Sequence, residues 1–300
     1  MTSPARLRPG LWGILATPFA GPALDVDVES LDRQVRLFRE LPATGIVALG
    51  VFGEGAALDG REQRLVVDTV AAAAGDMGVV VGLSARATAP AVEQGRLAVG
   101  AAGRHLAGLM VQVHSAQPAV LVRHLTRVHV ETGAGIVLQD YPLISGVRIS
   151  SAALLEALAD CPFVVAVKAE APPTAAAIAE LTDGTDIPVF GGLGGVGLLD
   201  ELAAGAAGAM TGFSRPEALL AAIQAWEAGG MGAAHAAFAR WLPLANFEAQ
   251  PGIGLALRKE AFRRRGVFAE AAVRPPAPPM PAALGGILQQ HLDELAEVSA

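Results

Sequence analysis

The stretch Phe163–Glu170 has the sequence FVVAVKAE, an apolar and β-branched run that ends in a lysine shortly before a glutamate. A run of this length and composition predicts a buried strand of a parallel sheet. Lysine is almost never fully buried unless it is paired or has a function. Burial disfavours the ammonium form, and a neutral amine at a strand end can attack a ketone and form a Schiff base. Lys168 is therefore a candidate nucleophile, and the alternative is an ordinary strand-ending lysine whose head reaches water.

Seven further short apolar runs occur along the chain, with amphipathic helical segments between them. Eight strand–helix units without a long linker predict an α/β fold, the (β/α)8 TIM barrel. The alternative is a doubly wound open sheet, which requires a glycine fingerprint after the first strand; this chain has Thr17-Pro18-Phe19 there. The predicted strands are Gly13–Ala16, Gly45–Leu49, Val79–Gly82, Gly108–Val113, Gly135–Leu138, Val164–Lys168, Pro188–Phe190 and Gly208–Thr211.

The chain continues well beyond the eighth predicted strand. We expect the barrel to span residues 1–215 and a helical extension, packed on the barrel, to span residues 216–300. Helical patterns cover Pro216–Ala228, Gly232–Leu242, Gly254–Arg264 and about Ala283 to Glu297, and the proline-rich Arg274–Pro281 predicts a stiff extended linker. The basic residues Arg258, Lys259 and Arg263–Arg265 predict a solvated helix end.

Composition narrows the class of protein. The chain has 300 residues, of which 52% are hydrophobic and 17% charged, and this balance argues against disorder. A net charge of −7 argues against a nucleic-acid surface. The single cysteine, Cys161, excludes an internal disulfide and is expected to be a buried packing residue. With neither a membrane-length apolar stretch nor a signal-peptide pattern, we expect a soluble cytoplasmic protein without a membrane partner.

The active site of such a barrel lies at the carboxyl ends of its strands. Chemistry-bearing residues follow most of the predicted strands. In chain order they are Thr17, Gly50–Gly55, Ser84, His114-Ser115, Gln139-Asp140-Tyr141, Lys168 with Glu170, Gly191–Gly195 and Thr211–Phe213.

Two of these residues could move protons beside Lys168. Tyr141 could serve as a proton shuttle next to an imine, or it could pack beside Pro142 as loop support. Glu170 lies two residues after Lys168, so in an extended strand it shares the side of the lysine. Glu170 could then act as a base, or it could be a supporting or surface salt link to the ammonium group.

Two other patterns suggest ligand sites. Asp140, Glu170 and His114 could form a divalent metal site, as in metal-dependent aldolases, but no two of them have a diagnostic spacing. We therefore predict no metal. The run Gly191–Gly197 resembles a phosphate loop, but the Lys-Ser/Thr that would follow one is missing, which favours tight loop geometry.

Three motifs in order, at spacings compatible with a barrel, resemble the dihydrodipicolinate synthase / N-acetylneuraminate lyase superfamily. The motifs are Gly13-x-x-Ala16-Thr17-Pro18-Phe19, then Gly50-x-x-Gly53-Glu54-Gly55 with Leu58 and Arg61-Glu62, then Val167-Lys168-Ala169-Glu170. The resemblance implies that Lys168 is the Schiff-base lysine, which captures a 2-oxo acid such as pyruvate without a cofactor. It also implies a homo-oligomer, a tetramer or a dimer.

The resemblance further implies roles for residues around the lysine. The loop residues Gly50, Val51, Phe52 and Gly53 would offer backbone N–H groups to the substrate carboxylate. Thr17 would support the site by hydrogen bonding. Gly192 and Leu193 would line the pocket with backbone carbonyls.

Several positions depart from the pattern of the superfamily. Val51 and Phe52 replace two hydroxyl residues of the glycine loop, and Ile144 replaces the arginine of dihydrodipicolinate synthases. The position of the catalytic tyrosine falls on Gln139, although Tyr141, the only tyrosine, follows two residues later.

His114-Ser115 replaces an aromatic pair that dihydrodipicolinate synthases use at a subunit contact. These departures argue against dihydrodipicolinate synthase activity and weaken the case for sialic acid lyase activity. We therefore predict a Schiff-base aldolase, lyase or dehydratase whose second substrate is less acidic or bulkier. A non-catalytic keto-acid-binding barrel that has lost the proton relay, and a metal-dependent aldolase, are the alternatives.

Overall fold

The computed structural model describes residues 4–297, and its centre is a closed parallel barrel. The first seven strands pair in sequence and the first also pairs with the eighth, while a single bridge from Gly191 to Ala209 joins the seventh strand to the eighth and closes the ring. The barrel prediction is confirmed. In chain order the strands β1 to β8 are Gly10–Ile14, Gly45–Ala48, Gly78–Gly82, Leu106–Gln112, Ile136–Asp140, Val164–Ala169, Val189–Phe190 and Gly208–Thr211.

All eight predicted strands are present, and all but the last have shifted ends. The first strand begins at Gly10 rather than Gly13 because its pairing with β8 extends to the Gly10–Gly208 step. A short antiparallel ribbon, Phe19–Ala20 with Asp25–Val26, follows β1 and was not predicted. Its turn includes Leu24 at a φ of 55°, a conformation that leucine rarely adopts and that the sequence does not announce.

Helices surround the barrel and form the C-terminal extension. Three of them begin with a side-chain cap that the sequence supplies, at Asp27, Asp59 and Ser150. At the start of the helix Gly60–Ala73, for example, the Asp59 side chain accepts backbone N–H groups while Glu62 accepts the N–H of Asp59. The helices α1 to α12 are Val28–Glu40, Gly60–Ala73, Thr88–Ala102, Pro118–Thr132, Pro142–Ser145, Ser151–Ala159, Thr174–Gly184, Leu198–Ala203, Pro216–Phe238, Leu242–Glu248, Gly254–Arg264 and Gly285–Glu297.

The core has two layers because neighbouring residues of a strand face opposite sides. On β2, Ile46 and Ala48 pack between the sheet and the helices, while Val47 lies inside the barrel. On β6, Val167 and Ala169 belong to the outer layer. Lys168 lies between them and therefore points into the barrel interior.

The extension packs on one side of the barrel. Leu11 of β1 shares an apolar cluster with residues of α9, α11 and α12. The break predicted between the helices Pro216–Ala228 and Gly232–Leu242 is confirmed, since α9 consists of two helical stretches separated at Gly229 and Gly230, where Gly230 takes a φ of 66°. The second stretch ends at Phe238 rather than Leu242. The last predicted helix begins at Gly285, after a 3-10 turn. The boundary at residue 215 remains a prediction, and residues 1–3 and 298–300 lie outside the described part.

Two predictions for the extension need correction. Arg258 and Lys259 do not form a solvated helix end, since Lys259 is fully buried and Arg258 nearly so. The segment Arg274–Pro281 is irregular and anchored at its start. Arg274 donates to Glu62 at 2.8 Å and to the carbonyl of Ala57 at 3.0 Å. Within residues 4–297, none of the helices has the length and apolar character needed to cross a membrane.

Candidate active site

Lys168 lies at the carboxyl end of β6, between Gln139 of β5 and Phe190 of β7 in the strand register. Its exposed fraction is 6%, and its Nζ lies 3.1 Å from Oε2 of Glu170. The alternative of a strand-ending lysine that reaches water is therefore wrong. The amine is buried and paired with one carboxylate.

Glu170 is held on both carboxylate oxygens. Oε2 accepts a hydrogen bond from Gln139 Nε2 at 2.7 Å, and Oε1 accepts one from the Leu193 N–H at 3.2 Å. Glu170 is 4% exposed, so the surface form of the salt link is excluded, while the pairing with the ammonium group is present. A Cβ on Gly192 would lie 2.3 Å from Oε1, which means that only glycine leaves room for this carboxylate.

The glycine-rich segment after β7 contributes an amide group rather than only carbonyls. Leu193 takes a φ of 49° and directs its N–H at Glu170, while the Gly192 carbonyl accepts the Gly195 N–H at 3.0 Å. Gly194 and Gly195 both have positive φ. The segment has the tight geometry that the glycines predict.

Gln139 and Tyr141 occupy different environments. Gln139 is buried and contacts Glu170 directly. Tyr141 follows β5 as the N-cap of α5 and is half-buried. Burial and the negative charge of Glu170 raise the pKa of Tyr141, while the charge of Arg258 opposes that rise. The Tyr141 phenol is therefore neutral near pH 7 and able to donate a proton.

The loop after β2 is fixed from two sides. Thr17 donates its hydroxyl proton to the carbonyl of Gly53 at 2.6 Å. Glu54, in a left-handed conformation, forms a buried ion pair with Lys259 and accepts the Arg274 N–H at 2.9 Å. A Cβ on Gly55 would lie 2.2 Å from the Leu49 carbonyl, so this turn requires glycine.

A cavity of about 250 Å³ opens between this loop and the ends of β3, β4 and β5. Gln139 lines the cavity and also touches Glu170, so it connects the cavity to the lysine. Both apolar and polar residues line the rest of the cavity. They include Gly50, Val51, Ser84, Arg86, Gln112 and Ile144.

The three residues considered as metal ligands, His114, Asp140 and Glu170, are not grouped so as to hold a metal ion. His114 packs against His124 with ring centroids 4.1 Å apart. Asp140 is buried, and burial together with the charge of Glu170 raises its pKa to about 6. In the part of the chain that the structure describes, no three His, Cys, Asp or Glu side chains are grouped so as to hold a metal ion.

Three charged residues near the site were not predicted. Glu201 of α8 is buried, its Oε2 packs against Gly191, and burial raises its pKa to about 7. Arg258 of α11 reaches the barrel mouth and pairs with the buried Glu248 of α10. No local pattern connects Glu248 to Arg258, which lie on different helices.

The burial of Lys259 is predictable from its spacing in the sequence. It lies at a spacing of three from Ala256 and from Phe262, both buried. Residues at this spacing share one face of a helix. The position of Lys259 on the apolar face of α11 therefore predicts that it is buried.

The fold and the buried lysine at the end of the sixth strand define the class of protein, a (β/α)8 barrel with a candidate amine nucleophile at its carboxyl end. The model of the Dihydrodipicolinate synthetase family matches residues 8–292. The chain belongs to this family. Membership establishes, at a coarse level, an enzyme of the lyase type, and it supports a Schiff-base aldolase or lyase function.

Relatives within the family differ in activity. The chain is 29% identical over 278 residues to L-2-keto-3-deoxyarabonate dehydratase of Azospirillum brasilense, an alignment that covers 90% of this chain and 88% of the relative. It is 30% identical over 269 residues to 4-hydroxy-tetrahydrodipicolinate synthase of Kineococcus radiotolerans, covering 88% and 86%. The crystal structure of dihydrodipicolinate synthase from Rhodopseudomonas palustris superimposes with a TM-score of 0.88 at 28% identity, covering 97% of this chain and 99% of that one.

Proposed function

We propose that this protein is a Schiff-base lyase that acts on a 2-oxo acid through Lys168, and that its favoured reaction is the loss of water from a 3-deoxy-2-oxo acid with a hydroxyl at C4. The observation that carries the proposal is the buried Lys168–Glu170 pair at 3.1 Å. Similarity to a keto-deoxy-sugar acid dehydratase over most of both chains supports the dehydratase reaction. Ile144, in place of the arginine expected for a synthase, supports a partner other than an acidic aldehyde.

Imine formation begins with a proton transfer from the Lys168 ammonium group to Glu170. Nζ then attacks C2 of the substrate, and the ketone oxygen becomes the hydroxyl of a carbinolamine. The protonated Glu170 returns its proton to this hydroxyl, which leaves as water while the nitrogen lone pair forms the C=N bond. Glu170 ends as a carboxylate, and the nitrogen carries a positive charge that draws electrons from C3.

The second stage removes a proton from C3. Glu170 is the base because its Oε2 already lies at the lysine nitrogen, and Gln139 with the Leu193 N–H keep the carboxylate in place. The electron pair of the C3–H bond becomes the C2–C3 double bond of an enamine. General base catalysis by one positioned group typically contributes about 10²- to 10⁴-fold in rate.

Elimination follows from the enamine. The nitrogen lone pair forms the C=N bond again, a C3–C4 double bond forms, and the C4–O bond breaks. We propose that the neutral phenol of Tyr141 donates the proton with which the C4 hydroxyl leaves as water. Glu170 then gives its proton to the phenolate and restores the Tyr141 phenol. Water finally attacks C2 of the protonated imine, and its two protons pass to the nitrogen, releasing the unsaturated 2-oxo acid and restoring the Lys168 ammonium group beside the Glu170 carboxylate. The net change is the loss of one water.

The test is a panel of 2-oxo acids incubated with the protein and analysed by mass spectrometry. The panel contains 3-deoxy-4-hydroxy acids of several lengths, and pyruvate with several aldehydes. We expect a product that lacks one water, formed by the wild type and not by Lys168→Met. Turnover that survives in Lys168→Met would refute the proposal, and exclusive condensation of pyruvate with an aldehyde would replace the dehydratase assignment by an aldolase one.

We extend the proposal to the state of the protein in the cell. Family membership supports a small keto acid as the substrate, and we propose a cytoplasmic homo-oligomer. Neighbours of the fold include a monomeric dihydrodipicolinate synthase variant, with a TM-score of 0.85 at 22% identity. Light scattering of the purified protein distinguishes a monomer from a dimer or tetramer.

A further inference from the structure

A second, largely buried cation lies at the mouth of the barrel. Arg258 extends from α11 of the C-terminal extension, and its guanidinium carbon lies 5.5 Å from the ring centroid of Phe52, in the loop after β2. One terminal nitrogen would lie 2.3 Å from a Cβ on Gly194, in the loop after β7. The guanidinium group therefore lies against two loops of the candidate active site.

The pairing of Arg258 leaves part of its hydrogen-bonding capacity available. Nε lies 3.4 Å from Oε2 of Glu248, and Nε has no hydrogen-bond partner among residues 4–297. Glu248 is fully buried and also accepts hydrogen bonds from the N–H and hydroxyl of Ser214. A guanidinium group has five N–H donors in a planar fork that fits a carboxylate, and Glu248 lies on the Nε side.

Glu248 interacts with two cations, Arg258 and Arg215, and this excess of positive charge leaves room for a substrate anion beside Arg258. The charge of Lys168 is already matched by Glu170, whose oxygens both hold protein hydrogen bonds. A carboxylate that enters a buried site needs a partner of its own, because an unpaired charge is strongly disfavoured there. The charge of Arg258 reaches this region, since it opposes the rise in the pKa of Tyr141 and interacts with Glu170.

We propose that Arg258 binds the carboxylate of the 2-oxo acid substrate, together with the backbone N–H groups of the Gly50–Gly53 loop. The inference rests on the proposed function and adds the residue that recognises the acid group. It accounts for the loss of hydroxyl side chains at Val51 and Phe52. A guanidinium group supplied by the extension takes the position over the Phe52 ring, and it binds an anion more strongly than a neutral hydroxyl does.

The test compares ketones with and without a carboxylate. Pyruvate and the neutral ketone hydroxyacetone are each titrated in the presence of borohydride, and the labelled fraction is read by intact mass. The main variant combines Arg258→Met with Glu248→Gln, which avoids a buried unpaired carboxylate. Arg258→Lys is the second variant, because it keeps the charge without the fork. Arg263→Met is the matched control, since Arg263 lies on the same helix, is 44% exposed and pairs with Glu260.

We expect the pyruvate concentration for half-labelling to rise at least about ten-fold in the double variant, and by a smaller factor in Arg258→Lys. The hydroxyacetone concentration for half-labelling stays within about two-fold of the wild-type value in both Arg258 variants. The control variant matches the wild type with both ketones. Equal changes for the two ketones, or no change, in folded variants would overturn the role of Arg258 while leaving the Schiff-base function intact. A wild type that neither ketone labels would instead refute the proposed function itself.

Discussion

Glu170 follows β6 directly and lies two residues after Lys168, and this spacing places its Oε2 3.1 Å from the lysine Nζ. Alternate residues of an extended strand face the same side, so the strand itself brings the carboxylate to the amine. Gln139 lies beside Lys168 in the register and binds the same oxygen. The resemblance to the superfamily assigns proton transfer to a tyrosine at position 139. In this chain residue 139 is a glutamine, and it holds the Glu170 carboxylate in place.

The assignment of Glu170 as the base at C3 predicts the effect of one substitution. Glu170→Gln keeps the shape of the side chain and removes its capacity to accept a proton. We expect the exchange of the pyruvate methyl protons in D2O, followed by NMR, to slow by about 100-fold or more. Glu180→Gln, on the exposed face of α7, should exchange like the wild type. Wild-type exchange by Glu170→Gln would assign the base to another residue.

Tyr141 is predicted to act only after the enamine has formed. Tyr141→Phe should therefore exchange pyruvate protons within about three-fold of the wild type, while dehydration of a 4-hydroxy-2-oxo acid slows by about ten-fold or more. The two rates are measured on the same preparation. Equal losses in both assays would mean that Tyr141, rather than Glu170, removes the proton from C3.

Gly192 is required by the position of the Glu170 carboxylate. Gly192→Ala places a Cβ 2.3 Å from Oε1, which forces the carboxylate away from Lys168. We expect proton exchange to fall by about ten-fold or more while thermal unfolding shifts little, because the residue lies in a loop at the barrel mouth. Gly100→Ala is the control, since nothing lies within 4 Å of its added Cβ. Full exchange activity in Gly192→Ala would show that the Glu170 position is not critical.

The raised pKa of Glu201 predicts that the stability of the protein depends on pH. Burial raises its pKa from 4.5 to about 7, so the folded state binds this proton more tightly than the unfolded state. Stability therefore falls as the pH rises from about 4.5 to about 7, by up to about 3 kcal/mol from this group. The free energy of unfolding is measured with urea for the wild type and for Glu201→Gln. Between these two pH values the wild type should lose that amount relative to the variant. A constant difference between the two proteins would contradict the prediction.

The sequence determined most of the fold because buried parallel strands produce local apolar runs. Phe163–Glu170 predicted both the strand and the shared side of Lys168 and Glu170, since strand periodicity depends only on near neighbours. The ion pairs of Glu54 with Lys259 and of Glu248 with Arg258 were missed. In the first of these pairs the partners are far apart in sequence, so only the packing of the extension on the barrel brings them together.

Loop geometry limited the prediction of the site in a different way. The contact from the Leu193 N–H to Glu170 depends on a left-handed conformation at Leu193. A non-glycine residue rarely adopts this conformation, and no residue pattern signals it here. Gly192 was expected to contribute a carbonyl, whereas its main importance in the structure is the space that its missing side chain leaves.

The central claim is that Lys168 forms an imine with a 2-oxo acid, and borohydride trapping with pyruvate tests it most directly. The chain contains only two lysines, Lys168 and Lys259, and Lys259 is fully buried in its pair with Glu54. We predict one stable adduct by intact mass, located by peptide mapping on Lys168 and absent from Lys168→Met. No adduct with pyruvate or with larger 2-oxo acids, or an adduct that persists in Lys168→Met, would contradict the account.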